Sequence, residues 1–322
     1  MKTWRPIIEQ HIRNWSARLG NLHWWPSYVY HFTDVRNAAN ILKSGFLYSR
    51  IEASQLGLMY VDNASPEVIQ RTRPEYESYT RLYFRPQTPT QFRNEGIRPI
   101  NQRELGGAHC PVPIYFCFDA LNVLSRDDCE FSDGNMGSLR AQHSDSENFF
   151  AIIPFQLVYH SGSIYPEENK DEIIFRRHAE VLVPHRLPID QDLKAIVCRS
   201  SAEMQTLFQL LSDTLRRKWL SKIRLGEGFY NRKWTFVEEV VTIEDHIIFR
   251  FNPDTRTPGP FGIRFTYQDD GERKPRVWEG RIENLGSSLS FVVKNAWEGV
   301  ATLSLDDSLA FAGRVIINEI PF

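Results

Sequence analysis

Apolar positions change period several times over the first two thirds of the chain, then settle into short alternating runs from residue 226 onward. Residues 6–22 place Ile7, Ile8, Ile12, Trp15 and Leu19 at three- and four-residue steps. That spacing predicts an amphipathic helix, stopped by Gly20. Trp24, Trp25 and Pro26 follow and are expected to pack in a core. The run 27-SYVYHFT-33, rich in aromatic and β-branched residues, predicts a strand. Asp34 then stands where a helix N-cap belongs, and Val35, Ala38, Ala39, Ile41 and Leu42 give the apolar face of a short helix. Gly45 is expected to close it in the left-handed conformation. Such a strand–turn–helix unit can present His31 and Thr33 on one face of the strand.

Residues 50–78 are irregular and polar, with one helical turn expected around Glu67–Gln70; a loop of this length inside a domain is more often functional than idle. A strand is predicted over 79-YTRLYFRPQTP-89, and PIYFCF (113–118) and FFAIIPF (149–155) are apolar enough for central strands. CEFSDGNMGS (129–138) and residues 160–172 read as loops, and LKAIVCRS (193–200) as another strand. One helix is predicted over 202–225, with Met204, Leu207, Phe208, Leu211, Leu215 and Trp219 inward and basic last turns that suit the helix dipole. Beyond GEGFYN (226–231) come about seven short strands with Asp270-Gly271 and Gly286 as turn signals, most simply a small sandwich. The chain therefore divides into 1–225 and an all-β part, 226–322.

Composition narrows the function classes. The chain has 322 residues, 42% hydrophobic and 24% charged, with a formal net charge of −2. It has no bulk basicity, so a nucleic-acid site must be a local patch. Residues 226–322 carry about −4 and residues 1–225 about +2. The clearest positive stretch runs from Arg71 to Arg103, with arginines at 71, 73, 81, 85, 93, 98 and 103. Guanidinium forks suit phosphate oxygens, though ordinary surface charge would look the same. No apolar run reaches the ~20 residues of a membrane span, and the N-terminus lacks a signal-peptide core, so a cytoplasmic protein is expected. Four irregularly spaced cysteines predict reduced thiols and no metal site.

One stretch stands apart chemically. In 176-RRHAEVLVPHRLP-188 a lone carboxylate, Glu180, sits in a β-favouring run between basic flanks. Alternation puts Glu180, Leu182 and Pro184 on one side and Val181 and Val183 on the other. Taken alone, this is a solvated strand glutamate or a general base.

In order, HFTDVRNAANILKSGFL, IQRTR, LYFRPQTPTQF, FSDGN and RHAEVLVP resemble the DarT family of DNA ADP-ribosyltransferase toxins over roughly residues 28–200. The resemblance implies an α+β fold, with an ADP-ribosyltransferase-type split β-sheet core and flanking helices, and NAD held as substrate in a cleft. It implies transfer of ADP-ribose to a nucleobase of single-stranded DNA. It also implies that Glu180 is the catalytic glutamate and Arg71 the active-site arginine, with Arg73 its close competitor. His31 would contact a ribose of NAD, Thr33 and Tyr83 would lie near the nicotinamide, and Asn37 would open the following helix. Thr90 stands where some members have methionine, a departure that fits a branch modifying another base such as guanine. The loops at 50–78 and 156–175 are placed to exclude water, the second also to carry the acceptor. RNA as acceptor, and an inactive NAD-fold sensor, are the alternatives. A toxin of phage defence, opposed by an ADP-ribosylglycohydrolase antitoxin, is the biological expectation.

Overall fold

Two kinds of sequence pattern produce two hydrophobic cores in the computed structural model, which describes residues 1–62, 70, 74–104, 106, 108–165, 168–253, 258–272 and 274–317. Helix α1 (Arg5–Arg18) and strand β1 (Tyr28–Asp34) form as their periods predict. The Asp34 side chain accepts the Arg36 N–H at 3.0 Å and caps α2 (Val35–Ser44), and Gly45 at φ +80° ends it. Strand β2 (Phe46–Tyr48), helix α3 (Arg50–Gln55) and strand β3 (Tyr79–Tyr83) follow. β3 stops at Tyr83, short of the predicted 79–89, because Pro89 begins helix α4 (Pro89–Asn94), capped by Thr88.

Strand β4 (Pro113–Asp119) and helix α5 (Ala120–Leu124) lead to β5 (Glu130–Ser132), so the first residues of the expected loop at 129–138 are an added strand. After β6 (His143–Ser144), the run predicted as a central strand at 149–155 is helical: α6 (Glu147–Ile152) and α7 (Phe155–Val158), parted by Pro154. A short run of uninterrupted apolar residues has no period that separates strand from helix, even though Ile152 ends up exposed; Ser146, whose hydroxyl caps Phe149 N at 3.3 Å, was the discriminating signal. Helix α8 (Lys170–Arg176) precedes β7 (Glu180–Pro184), β8 (Arg186–Pro188), α9 (Ile189–Asp192) and β9 (Leu193–Cys198). The helix predicted over 202–225 is broken into α10 (Ser201–Leu210) and α11 (Asp213–Trp219), because Ser212 caps a fresh start; Ile223–Leu225 is strand β10, parallel to β9.

These strands make an eight-stranded sheet ordered β10-β9-β4-β1-β3-β7-β5-β6. β1 pairs with β4 along its whole length, from Tyr28–Asp119 to Asp34–Pro113. β3 pairs equally fully with β7. Between the two halves, β1 and β3 are paired only at Tyr30–Tyr83. The sheet is therefore open along a seam beyond that pair.

The seven C-terminal strands are β11 (Val237–Ile243), β12 (His246–Phe251), β13 (Phe261–Asp269), β14 (Arg276–Ile282), β15 (Ser288–Val292), β16 (Glu298–Leu305) and β17 (Ser308–Ile316). They form a three-stranded and a four-stranded sheet around one core, where Phe265 stacks on Phe291 at 4.2 Å and meets Phe249 edge-on at 5.7 Å. Along β16 burial alternates residue by residue. The intervening segment belongs with the eight-stranded sheet: on the face of β1 and β4 opposite the first core, Phe229 and Tyr230 pack beside Tyr30 and Tyr115, and the Tyr230 hydroxyl donates to Val197 O at 2.6 Å. Ile97 and Ala202, from the first part of the chain, sit in the second core.

Candidate active site

Glu180 is 3% exposed. Its backbone N–H donates to Ser132 Oγ at 2.8 Å, and that hydroxyl donates to Gly134 O at 2.8 Å. Its Oε1 accepts the Met136 N–H at 3.3 Å. The loop after β5 thus fixes the start of β7. Gly134 is required there, since a Cβ would stand 2.3 Å from the Phe175 ring. The second carboxylate oxygen, Oε2, lies 2.9 Å from Arg81 Nε, yet the N–H is not aligned with it. Neither atom has a hydrogen bond among the described residues, and Arg81 Nη2 is buried without one as well. Burial raises the carboxyl pKa; the Arg81 charge and the Met136 N–H pull it back.

Register explains which side chains meet. Directly paired residues share a face, so Tyr30, Tyr83 and Glu180 lie on one side of the sheet and His31, paired with Phe116, on the other. His31 and Glu180 nevertheless line one cavity, because that cavity opens at the seam. There the imidazole takes over from the missing ladder: Nδ1–H donates to the Arg81 carbonyl at 3.1 Å. A carbonyl only accepts, which fixes the tautomer and leaves Nε2 an acceptor. Burial lowers the His31 pKa to about 4, with the bond to Arg81 O opposing, so the ring is neutral at pH 7. Tyr83 also lines the cavity, its ring stacked near Phe32 with centroids 6.4 Å apart. Burial first, and the Glu180 charge second, raise its hydroxyl pKa.

Thr33 and Asn37 reach the same cavity. Asn37 Nδ2 donates to Thr33 Oγ1 at 3.1 Å and Val61 O at 2.7 Å, while its Oδ1 accepts Tyr60 N–H at 2.7 Å. Its amide therefore fastens residues 60–61 across the cavity. Asn40 does the same to Leu58 O at 2.8 Å, and Arg50 pairs with Asp62. The expected loop at 50–78 is, over residues 50–62, a helix followed by a strap over the site. Arg71 and Arg73 lie outside the described residues, as does the turn expected at Glu67–Gln70 apart from Gln70 itself.

Two contributors, Arg81 and His178, have no place in the site as read from the sequence. Arg81 figures there only within the arginine-rich stretch; alternation along β3 places it with Tyr79 and Tyr83, but its proximity to Glu180 depends on the β3–β7 register. His178 is joined at 3.0 Å through its Nε2 to Oγ1 of Thr90, the position where some family members have methionine. His178 Nδ1–H donates to Ile174 O at 2.9 Å, so Nε2 accepts from the threonine hydroxyl. The cavity encloses about 240 Å³. A buried carboxylate with an unpaired oxygen, a neutral imidazole offering an acceptor and mostly apolar walls suit a cationic reaction centre shielded from water.

Residues 30–230 match a family model described as ssDNA thymidine ADP-ribosyltransferase, DarT. The chain is similar to solved structures of Thermus sp. 2.9 DarT. The complex with ADP-ribosylated ssDNA is 16% identical at a TM-score of 0.49, covering 64% of this chain and 96% of that one. The complex with NAD+ is 16% identical at 0.47, covering 64% and 98%. The complex with carba-NAD+ is 17% identical at 0.46, with the same coverage. A search of curated proteins gives no match.

Proposed function

This chain belongs to the DarT family of single-stranded-DNA ADP-ribosyltransferases, and from that premise we propose that it transfers ADP-ribose from NAD to a nucleobase of single-stranded DNA. Glu180 is the catalytic carboxylate of the proposal. His31, Thr33, Asn37 and Tyr83 hold the dinucleotide, Asn37 by tying down the strap. Arg71 is the active-site arginine and Arg73 supports it at the pyrophosphate. Residues 1–225 are the catalytic unit and 226–322 an accessory unit.

The observation that supports this most is a buried Glu180 oxygen without a hydrogen bond, lining one cavity with a neutral His31. As the bond from ribose C1′ to nicotinamide breaks, its electrons go to the ring, which leaves neutral, and positive charge grows on the sugar. Glu180 stabilises that charge in a site where water screens little. A base nitrogen then bonds to C1′, and Glu180 takes the proton it loses. His31 Nε2 accepts from a ribose hydroxyl and orients the sugar. Single strands are the natural acceptor, since a stacked base cannot enter a buried site.

Guanine is the acceptor base of this proposal, on the departure at Thr90; the family description specifies thymidine, so the test must separate them. Labelled NAD is incubated with DNA and RNA oligonucleotides of matched sequence, followed by mass spectrometry of the product. Label on DNA guanine, lost with Glu180→Gln, is expected. Label only on thymine overturns the base assignment, and label only on RNA overturns the acceptor. No NAD consumption with any nucleic acid overturns the enzyme. The proposal extends to toxicity: expression arrests growth, and an ADP-ribosylglycohydrolase antitoxin that removes the modification restores it.

A further inference from the structure

Beside the cavity, a small basic and aromatic surface joins the two parts of the chain. Helix α4 carries Thr90 into the cavity and, in its next turn, presents Phe92, 44% exposed, and exposed Arg93 to solvent. Lys233 and Trp234, from the segment leading into β11, lie against the same helix. Lys233 Nζ stands 4.5 Å from the Phe92 ring centroid and 4.4 Å from that of Trp234. The Trp234 indole N–H donates to Phe92 O at 3.2 Å, and the Arg98 guanidinium lies 4.5 Å over the Trp234 ring. Neither Arg93 nor Lys233 pairs with a carboxylate among the described residues. The chain as a whole is acidic, and residues 226–322 more so, yet this junction brings together two cations without a carboxylate partner, one of them, Lys233, over two aromatic rings. Arg93 follows three residues after Thr90, which lines the cavity. Among the influences on His178, whose pKa burial chiefly lowers to about 4, the Arg93 charge is felt directly.

We infer that Phe92, Arg93, Lys233 and Trp234 form the exit track for the acceptor strand, binding the nucleotides that flank the modified base of single-stranded DNA. Phosphates take the two unpaired cations, and a flanking base stacks on the exposed Phe92 ring. Aromatic faces interleaved with free cations are the chemistry that holds single strands without reading their sequence. The track rests on the transferase reading, and it gives the segment preceding the all-β part a share in the substrate site.

The test is fluorescence anisotropy of a dye-labelled single-stranded DNA oligonucleotide with the full chain, over a range of salt. All substituted side chains are exposed, and melting curves confirm that each variant is folded. The double variant Arg93→Glu, Lys233→Glu is expected to bind about tenfold or more weaker and to flatten the slope of log K against log salt by roughly 1.4, two phosphate contacts on a single strand. Phe92→Ala is expected to weaken binding about fivefold or more. Lys43→Glu, exposed on α2, is expected to change neither. Unchanged affinity and slope in the double variant, with wild type binding and modifying DNA, overturn the track alone. A loss confined to an RNA oligonucleotide of the same sequence overturns its assignment to DNA. Wild type that neither binds nor modifies single strands overturns the transferase reading itself.

Discussion

Two arginine–glutamate contacts in this chain are chemically alike and structurally opposite. Arg199 sits between Glu203 and Glu95, all three essentially inaccessible. Its Nε donates to Glu203 at 3.2 Å, its Nη1 to Glu95 at 3.4 Å and its Nη2 to Pro111 O at 3.1 Å. Glu95 in turn accepts from Gln91 at 2.7 Å, Asn231 at 3.1 Å and the Arg232 N–H at 2.7 Å. The guanidinium lies 3.9 Å over the Phe236 ring. None of the three side chains has a buried polar atom left unpaired. Arg81 and Glu180 are also in contact, but three of their atoms have no hydrogen bond and face a cavity. The saturated cluster welds 226–236 onto the sheet. The unsaturated pair holds binding capacity ready for a ligand, since a desolvated charge interacts strongly with whatever next completes its shell.

The contrast can be broken first at the saturated cluster. Arg199→Met leaves two carboxylates buried without their cation and is expected to cost about 3–5 kcal/mol, read as a fall in the denaturant midpoint. Comparable stability in that variant would mean the cluster is no weld. Glu180→Gln should do the reverse, lowering transfer on the order of 10²–10³-fold without loss of stability. The sign of its pH dependence follows from the raised pKa. A carboxyl that holds its proton more tightly when folded costs stability once ionised. Removing it should therefore stabilise the chain more as pH rises above the usual carboxylate range, levelling off above the folded pKa. Thermal melts of both proteins from acid to neutral pH check this.

A subtler effect is expected at Arg81→Met. Without the cation, Glu180 protonates at higher pH, so the acid limb of the transfer rate should move to higher pH. An unmoved limb would show that the contact does not tune the carboxylate. The smallest change is expected from Asn37→Ala, which releases the strap at Tyr60 and Val61. A rise in KM for NAD of roughly fivefold, worth about 1 kcal/mol, is expected with kcat little altered.

Much of this was legible in the chain. Asp34 and Gly45 bracket a helix through side-chain capping and a left-handed φ, interactions that span a few residues and need nothing remote. The β alternation after residue 237 is equally local. Expectation and structure part where local pattern is degenerate. The apolar run at 149–155 folds as two helical turns because Phe150 and Phe155 pack into the aromatic cluster around Phe84 and Phe131. The 202–225 helix breaks because Leu211 turns extended and Ser212 restarts the capping.

By itself, the order of residues determined the strand that bears Glu180, the strand–helix unit that bears His31 and the split between a mixed and an all-β portion. Each follows from periodicity or capping within a single segment. Tertiary structure alone decided that Arg81 touches Glu180, that Thr90 bonds His178 and that His31, on the opposite face of the sheet, reaches the same cavity. Those meetings depend on strand register and on where β1 and β3 part company, and both are set by contacts between residues 50 to 105 positions apart. No local pattern encodes such distances, because the free energy that selects them belongs to the packed whole.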